Sequence, residues 1–132
     1  MPSFFKSNAL LTGAIFCFSV SQAVAQEVSL KSGESVDIGT VYWVAANCKS
    51  ALKSFVGVDL LDGPKGIELS IREEPVAARR QNCPDKVPGG KVVLRAVNIP
   101  EKTEATIAYR VRYDTEDGDK QSSHKAKIAL YP

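Results

Sequence analysis

The feature that most constrains this chain is a strict alternation of apolar and other side chains. Between Ile107 and Tyr113 every second residue is apolar or aromatic, and Arg110 and Arg112 occupy two of the positions between. Successive side chains of a β-strand point to opposite faces of its sheet, so a period of two predicts a strand with one buried face. A helix would need apolar residues three or four apart, and beyond the N-terminal segment no stretch of helical length has that pattern.

Turn-forming residues separate the alternating segments. Glycine, proline and aspartate cluster at 62–66, 82–85 and 88–90, and Asp117-Gly118 favours a hairpin turn. About seven to eight short strands separated in this way predict an all-β fold, an antiparallel β-sandwich, with a small barrel as the alternative. A single helical or 3₁₀ turn is expected at 47–53.

The N-terminal segment has the features of a secretory signal. Lys6 precedes the apolar run 9–20, and Ala23-Val24-Ala25 has the small-x-small pattern after which signal peptidase cleaves. The run is shorter than the roughly 20 residues that a transmembrane helix needs. The sequence therefore predicts a cleaved signal peptide at 1–25, one domain at 26–132, no membrane span, and a periplasmic or secreted product.

The cysteines predict a disulfide. Cys17 falls within the predicted signal peptide, which leaves Cys48 and Cys83. An even number of cysteines in an exported chain favours a disulfide bond. Metal ligands are normally closely spaced Cys or His residues, whereas these cysteines lie far apart and His124 is the one histidine. We therefore expect a Cys48–Cys83 disulfide, no metal site and no cofactor.

Composition argues against several functions. The formal net charge of +2 is far from the basic excess typical of nucleic-acid binders, so no nucleic-acid partner is expected. Nucleophilic catalysis needs a serine or cysteine beside a base. His124 has only Ser122 and Ser123 as near neighbours in the sequence. We interpret it as a solvated histidine and expect no catalytic residue.

The C-terminal part of the chain resembles a known class of domain. Residues 105–130 resemble the last two strands of bacterial immunoglobulin-like and fibronectin-type domains, in which a Y-x-V-x-Y strand (here Tyr109–Tyr113) leads into an acidic Asp-Gly hairpin (here Asp117-Gly118). The whole chain is also similar to small exported proteins of Gram-negative bacteria. The resemblance implies an immunoglobulin-like sandwich. Antibody-type domains place the core tryptophan between the cysteines, whereas here Trp43 precedes Cys48.

Basic residues define the first candidate binding surface. Alternation directs Arg110 and Arg112 outward, and it directs Lys125 and Lys127 outward on the strand that returns after the hairpin. Antiparallel pairing would collect these four side chains on one cationic face, joined by Arg95 if the register permits. This face is either a docking surface for an acidic protein or anionic envelope glycan, or a solvated face whose lysines prevent association of sheet edges.

Two neighbouring aromatic residues, Tyr42 and Trp43, are expected to divide between the core and the surface. A buried aromatic ring contributes a large apolar area, and Trp43 is the predicted core residue beside the disulfide. An exposed aromatic residue would be a candidate anchor for a partner.

The sequence as a whole predicts an exported, non-enzymatic binding module. It would dock a protein or an anionic envelope partner through a sheet face or through loops, and a second basic pair, Arg79-Arg80, lies in the segment that the disulfide would close. A small periplasmic hydrolase and an inhibitor of an envelope enzyme are the alternatives.

Overall fold

The computed structural model describes residues 27–132, which form seven β-strands in two sheets. The predicted all-β sandwich is confirmed, whereas the predicted signal peptide and Cys17 lie outside the described residues. A 3₁₀ turn spans Arg79–Gln81. The strands are β1 (Glu27–Lys31), β2 (Ser35–Val41), β3 (Leu52–Asp62), β4 (Ile67–Val76), β5 (Val87–Ala96), β6 (Thr103–Thr115) and β7 (Gly118–Tyr131).

The larger sheet has the order β1-β7-β6-β3 and the smaller sheet the order β2-β5-β4. Strand β1 runs parallel to β7, and the other pairs are antiparallel. In immunoglobulin domains the second, fourth and fifth strands share one sheet and the third, sixth and seventh the other. This chain divides its strands in the same way, with β1 added to the larger sheet. The last strand, β7, pairs with β6 along its whole length but with β1 only from Lys127 to Tyr131, so among the described residues the edge of its first part is uncovered on the β1 side.

The long hairpin of β6 and β7 forms the centre of the larger sheet. It pairs every residue from Thr103↔Leu130 to Thr115↔Gly118. At its tip the Thr115 hydroxyl accepts a hydrogen bond from the Asp117 N–H at 3.0 Å and donates one to the Gly118 carbonyl at 2.8 Å. Gly118 has a φ of 106°, which residues with a side chain rarely adopt. The predicted Asp117-Gly118 hairpin is confirmed.

The core lies between the sheets and follows the alternation of the sequence. From β6 it receives Ile107, Tyr109 and Val111, and from β5 it receives Val92 and Leu94, all almost fully buried. Apolar area removed from water in this way is the main stabilising contribution in a domain of this size.

Among residues 27–132, no helix has the length and apolar character that crossing a membrane requires.

The Cys48–Cys83 disulfide is present, with Cα atoms 5.6 Å apart. It joins the segment between β2 and β3 to the segment between β4 and β5.

The helical turn expected at 47–53 does not form. A tight turn forms instead, in which the Cys48 N–H donates to the Ala45 carbonyl. The Asn47 side chain accepts a hydrogen bond from the Lys49 N–H, and side-chain contacts of this kind compete with a helical arrangement.

The expected assignment of the two aromatic residues is reversed. Tyr42 is buried, in a small cluster with Val76, Ala78 and Val87 that Cys83 also contacts. Trp43 is only partly buried, and its indole N–H donates to Asp117 at 3.1 Å. An indole N–H needs an acceptor, and the hairpin tip supplies one at the surface. The prediction of Trp43 as the core residue was therefore wrong.

Candidate functional site

The structure brings four of the five predicted binding residues onto one face of the larger sheet. Arg110 and Arg112 lie on β6, and Lys125 and Lys127 lie on β7, all on the side away from the core. They are offset along the strands, because Arg110 pairs with Ser123 and Lys125 pairs with Ala108.

Arg95 does not join that face. It lies on β5 in the smaller sheet, where its neighbours are Glu68 on β4 and Ser35 on β2. The expectation of a shared face was wrong for this residue. The alternation of β5 directs Arg95 outward, but outward from the smaller sheet. The two outer faces lie on opposite sides of the sandwich, so Arg95 is far from the other four residues.

A carboxylate on the neighbouring strand partly neutralises the face. Asp59 on β3 accepts hydrogen bonds from Arg110 Nη2 at 3.1 Å and from Arg112 Nε at 2.7 Å. Gly57 lies opposite Arg112, and a β-carbon there would stand 3.1 Å from the Arg112 guanidinium. The missing side chain at Gly57 thus makes room for this ion pair.

The ion pair affects the titration of both partners. Hydrogen bonds from Arg112 and then Arg110 hold the pKa of Asp59 below its ordinary value, and the bond to Asp59 raises the pKa of Arg112. The side chains remain about a third exposed, 31% for Asp59 and 39% for Arg112, so water screens much of the attraction. Of the four cations on this face, the two arginines are therefore already paired.

A second and denser group of basic side chains lines a cleft of about 530 Å³ between the end of β4 and the loop that follows it, reaching β5 and β7. We call it the cationic cleft. Among the described residues, none of its four lysine and arginine side chains forms an ion pair with a carboxylate. Its lining residues are Thr40, Tyr42, Glu74, Pro75, Val76, Ala77, Arg79, Arg80, Lys86, Lys91 and His124.

Arg80 is anchored to the core through Tyr42. The Tyr42 hydroxyl accepts hydrogen bonds from the Arg80 backbone N–H at 3.3 Å and from Arg80 Nε at 3.4 Å, and it donates one to Gln81 at 2.8 Å. The Arg80 guanidinium carbon lies 5.5 Å from the centre of the Tyr42 ring, within range of a cation–π attraction. The Cys48–Cys83 bond holds the same loop a few residues further along. The arginine is therefore held at the wall of the cleft while its side chain stays exposed.

The cleft contains one carboxylate, and that group is already engaged. Glu74 accepts a hydrogen bond from Arg72 Nε at 2.6 Å, and the same arginine binds Asp37 at 2.8 Å. On the opposite wall Lys91 donates from Nζ to the Thr40 hydroxyl at 2.9 Å, a neutral partner that leaves the lysine charge uncompensated. The cleft thus has an excess of positive charge.

His124 is exposed, as the sequence predicts, and it also lines the cleft. Its ring lies 5.3 Å, centre to centre, from that of Tyr109 on the paired strand. Nε2 lies 2.9 Å from the Ser122 hydroxyl. Partial burial and, to a lesser extent, the charge of Arg80 lower the pKa of His124 below its ordinary value of 6.5. Part of the ring remains exposed, so it can still gain a proton in acid.

The Ser122–His124 contact has only part of the geometry of a hydrolytic site. A serine nucleophile needs a base that a third group orients, together with donors for an oxyanion. Among the described residues no carboxylate is hydrogen-bonded to His124, and the charged group that affects it is Arg80. In residues 27–132 no group of three or more His, Cys, Asp or Glu side chains is placed to hold a metal ion.

The fold and the site together define a small disulfide-bonded β-sandwich with a cationic cleft at one end. Comparisons of the chain with family models, curated proteins and solved structures found no match. The resemblance to bacterial immunoglobulin-like domains therefore stays a prediction. Because sandwiches of this kind host many unrelated activities, the chemistry of the cleft indicates the function better than the fold does.

Proposed function

We propose that this chain is an exported, non-enzymatic binding module that holds an anionic partner in the cationic cleft. The observation that carries the proposal is the charge of one concave surface. Arg79, Arg80, Lys86 and Lys91 line it, and its one carboxylate, Glu74, is bound to Arg72. A concave site lined by charges of one sign attracts and orients a ligand of the opposite sign.

The positions of these residues support binding rather than a general basic surface. Tyr42 anchors Arg80, and Thr40 orients Lys91. Side chains that are held in place before binding lose less conformational freedom when a ligand arrives. Arginine also offers paired N–H groups that match a carboxylate, sulfate or phosphate.

The outer face of the larger sheet is the second place where an acidic protein or an anionic envelope glycan would dock. Its case is weaker because Asp59 already binds Arg110 and Arg112, and an incoming anion would have to compete with that carboxylate. Lys125 and Lys127 remain exposed there, which suits solubility as well as docking.

The test compares two double variants that remove the same charge from the two surfaces. Arg80→Gln with Lys86→Gln alters the cationic cleft, and Lys125→Gln with Lys127→Gln alters the sheet face. Binding of dextran sulfate is measured by calorimetry at low and moderate salt. We expect the cleft variant to bind at least about tenfold more weakly, since each lost charged hydrogen bond is worth about 1.5–3 kcal/mol in favourable cases.

The sheet-face variant should bind about as tightly as the unmodified protein, and salt should weaken binding in both. Equal losses in the two variants would mean that only net charge matters and would contradict the proposal. A loss confined to the sheet-face variant would move the binding site to that face.

A small periplasmic hydrolase is the alternative that one observation favours, namely the contact of Ser122 with His124. Turnover of p-nitrophenyl acetate that disappears in both Ser122→Ala and His124→Gln would support it. An inhibitor of an envelope enzyme would use the same cleft or sheet face, with the acidic partner being the enzyme itself.

A further inference from the structure

A second, smaller cavity adjoins the cationic cleft. It has a volume of about 270 Å³ and shares four lining residues with the cleft: Thr40, Tyr42, Arg80 and His124. Its remaining walls are chemically different, because aromatic, hydroxyl and amide groups replace the lysines. We call it the aromatic cavity, and its other lining residues are Val41, Trp43, Tyr113, Gln121 and Ser122.

Trp43 gives this cavity a fixed aromatic wall. The indole donates its N–H to Asp117 at 3.1 Å and its ring centre lies 6.3 Å from that of Tyr113. Lys120 Nζ stands 5.2 Å from the Trp43 ring centre. A cation therefore lies at this end of the site too, while Trp43 stays partly exposed.

Apart from Arg80, the polar groups of the aromatic cavity are neutral and suit hydroxyl groups. Ser122 is on the inner side of β7, with its hydroxyl 2.9 Å from His124 Nε2, and Thr40 on β2 lines the same cavity. Hydroxyls can both donate and accept hydrogen bonds. A neutral imidazole also offers both functions, and its lowered pKa keeps His124 in that form at neutral pH.

The ligand that matches both cavities has a ring, several hydroxyl groups and a negative charge. The C–H face of a sugar ring packs against an aromatic side chain, and its hydroxyls pair with a few well-placed polar groups, as is usual in small-molecule sites. The charges of a repeating acidic saccharide would meet the cations of the cleft. A peptide made only of acidic residues would satisfy the same cations, but it has no ring to pack against the indole.

We infer that the two cavities form one site for an acidic oligosaccharide, with its carboxylate or sulfate groups at Arg80 and Lys86 and a sugar ring against Trp43. The inference rests on the proposed function, since it names the class of anion that the cationic cleft binds. The cleft alone, at about 530 Å³, already falls in the range of about 300–1,000 Å³ that is usual for small-molecule sites.

The test uses three probes of similar length: a tetrasaccharide of galacturonic acid, a neutral tetrasaccharide of galactose, and tetraglutamate. Trp43 is the one tryptophan of the chain, so its fluorescence reports on the aromatic cavity, and calorimetry gives the affinity. We expect the acidic tetrasaccharide to change the emission and to bind at least about tenfold more tightly than either other probe, because it alone uses both cavities.

A pair of neighbouring serines supplies a matched variant and control. Ser122→Ala removes a hydroxyl from the aromatic cavity, whereas Ser123→Ala removes one from the outer face of the same strand, opposite Arg110. Ser122→Ala should weaken binding of the acidic tetrasaccharide about three- to tenfold, the usual effect of one hydrogen bond. It should leave tetraglutamate binding unchanged, and Ser123→Ala should alter neither.

The failure of this inference and the failure of the proposed function give different results. If tetraglutamate binds as tightly as the acidic tetrasaccharide and Arg80→Gln weakens both equally, the cleft binds anions but not a saccharide, which overturns the inference alone. If no acidic probe, dextran sulfate included, binds in a way that Arg80→Gln with Lys86→Gln reduces, the proposed function fails and the inference fails with it.

Discussion

The hydroxyl of Tyr42 accepts two hydrogen bonds from Arg80, one from its backbone N–H at 3.3 Å and one from its Nε at 3.4 Å. This relationship links the buried cluster beneath the disulfide to the wall of the cationic cleft. The Tyr42 ring is buried in that cluster while its hydroxyl reaches Arg80 and Gln81.

Tyr42→Phe tests this link. The variant keeps the ring in the core but loses the hydroxyl, so we expect the free energy of unfolding to fall by about 1 kcal/mol. Anion binding in the cleft should weaken by up to about fivefold, because Arg80 becomes less ordered before binding. Urea denaturation and calorimetry with dextran sulfate measure the two effects.

Tyr131→Phe is the matched control for that variant. Tyr131 lies at the end of β7, where Lys102 packs over its ring, away from the cleft. Its hydroxyl should matter little for binding. Equal losses of affinity in both tyrosine variants would show that Tyr42 does not act through Arg80.

The disulfide should matter for both stability and binding. The bond joins residues 35 positions apart, for which loop-closure entropy gives about 3–4 kcal/mol. Cys48→Ala and Cys83→Ala should therefore lower the free energy of unfolding by the same amount, since each removes one shared bond. Both should also weaken anion binding, because the loop that contains Arg79 and Arg80 loses a covalent anchor. Denaturation curves and calorimetry provide the measurements.

Intact-mass analysis after thiol alkylation is the accompanying control. The unmodified protein should show no reactive thiol at Cys48 or Cys83. Alkylation of both in the folded protein, or a large difference between the two alanine variants, would contradict the account.

Much of the fold follows from the sequence because it depends on local patterns. Alternation along β6 and β7 specifies which side chains are buried, and the glycine after Asp117 specifies the hairpin. The disulfide follows from the number of cysteines and the predicted compartment. The parallel pairing of β1 with β7 has no comparable local pattern, because it depends on contacts between the two ends of the domain.

The candidate site is harder to predict because it combines residues distant in the sequence. Arg79-Arg80 is visible as a pair in the sequence, but Lys86, Lys91 and His124 reach the same cleft only through the packing of the two sheets. The prediction for Arg95 fails because alternation shows on which face of its strand a residue lies, but not to which sheet that strand belongs. The position of Asp59 beside Arg110 and Arg112 depends on the pairing register of β3 with β6. Bulges in β3 shift that register, and the sequence does not show them.

Gly39 should not tolerate a side chain. A β-carbon at this position would lie 2.7 Å from the hydroxyl oxygen of Tyr109, which is buried and bonded to the Ile38 carbonyl. Gly39→Ala should therefore cost about 1–3 kcal/mol of stability, the usual effect of overpacking. Adding Tyr109→Phe should recover part of that loss, since it removes the clashing atom, and a double-mutant cycle of urea denaturations measures the coupling. Strictly additive effects would refute the proposed clash.

His124 should make the stability of the free protein depend on pH. Its pKa in the folded state lies below the ordinary 6.5, so the unfolded chain binds its proton more readily. The free energy of unfolding should therefore fall as the pH falls through 6.5 toward the folded value, and level off below it. Thermal melts between pH 7.5 and 4.5 should show this slope, and His124→Gln should reduce it.

The same histidine should make anion binding stronger in acid. The charged groups that line the cleft with His124 are Arg79, Arg80, Lys86, Lys91 and Glu74. A proton on His124 adds to their positive charge, so affinity for dextran sulfate should rise as the pH falls from 7 to 5. A slope that persists unchanged in His124→Gln would assign the effect to another group.

Asp59→Asn separates the two candidate binding surfaces. The change keeps the shape of the side chain but frees Arg110 and Arg112 from their carboxylate, which adds one positive charge to the outer face of the larger sheet. Stability at neutral pH should change little, because the ion pair is partly exposed and screened. If the cationic cleft is the binding site, affinity for dextran sulfate should stay close to that of the unmodified protein.

A docking site on the sheet face would give a clear gain in affinity in the same variant. Glu68→Gln, which adds the same charge beside Arg95 on the smaller sheet, is the control for the change in net charge. Tighter binding in Asp59→Asn but not in Glu68→Gln would place the anion on the outer face of the larger sheet. It would contradict the proposal that the anion binds in the cationic cleft. Because Asp59 keeps a lowered pKa, the unmodified protein should lose this ion pair only in strong acid, below the ordinary value of 3.8. At neutral pH the unmodified protein therefore keeps the ion pair and Asp59→Asn lacks it, so the difference between the two reports on the ion pair.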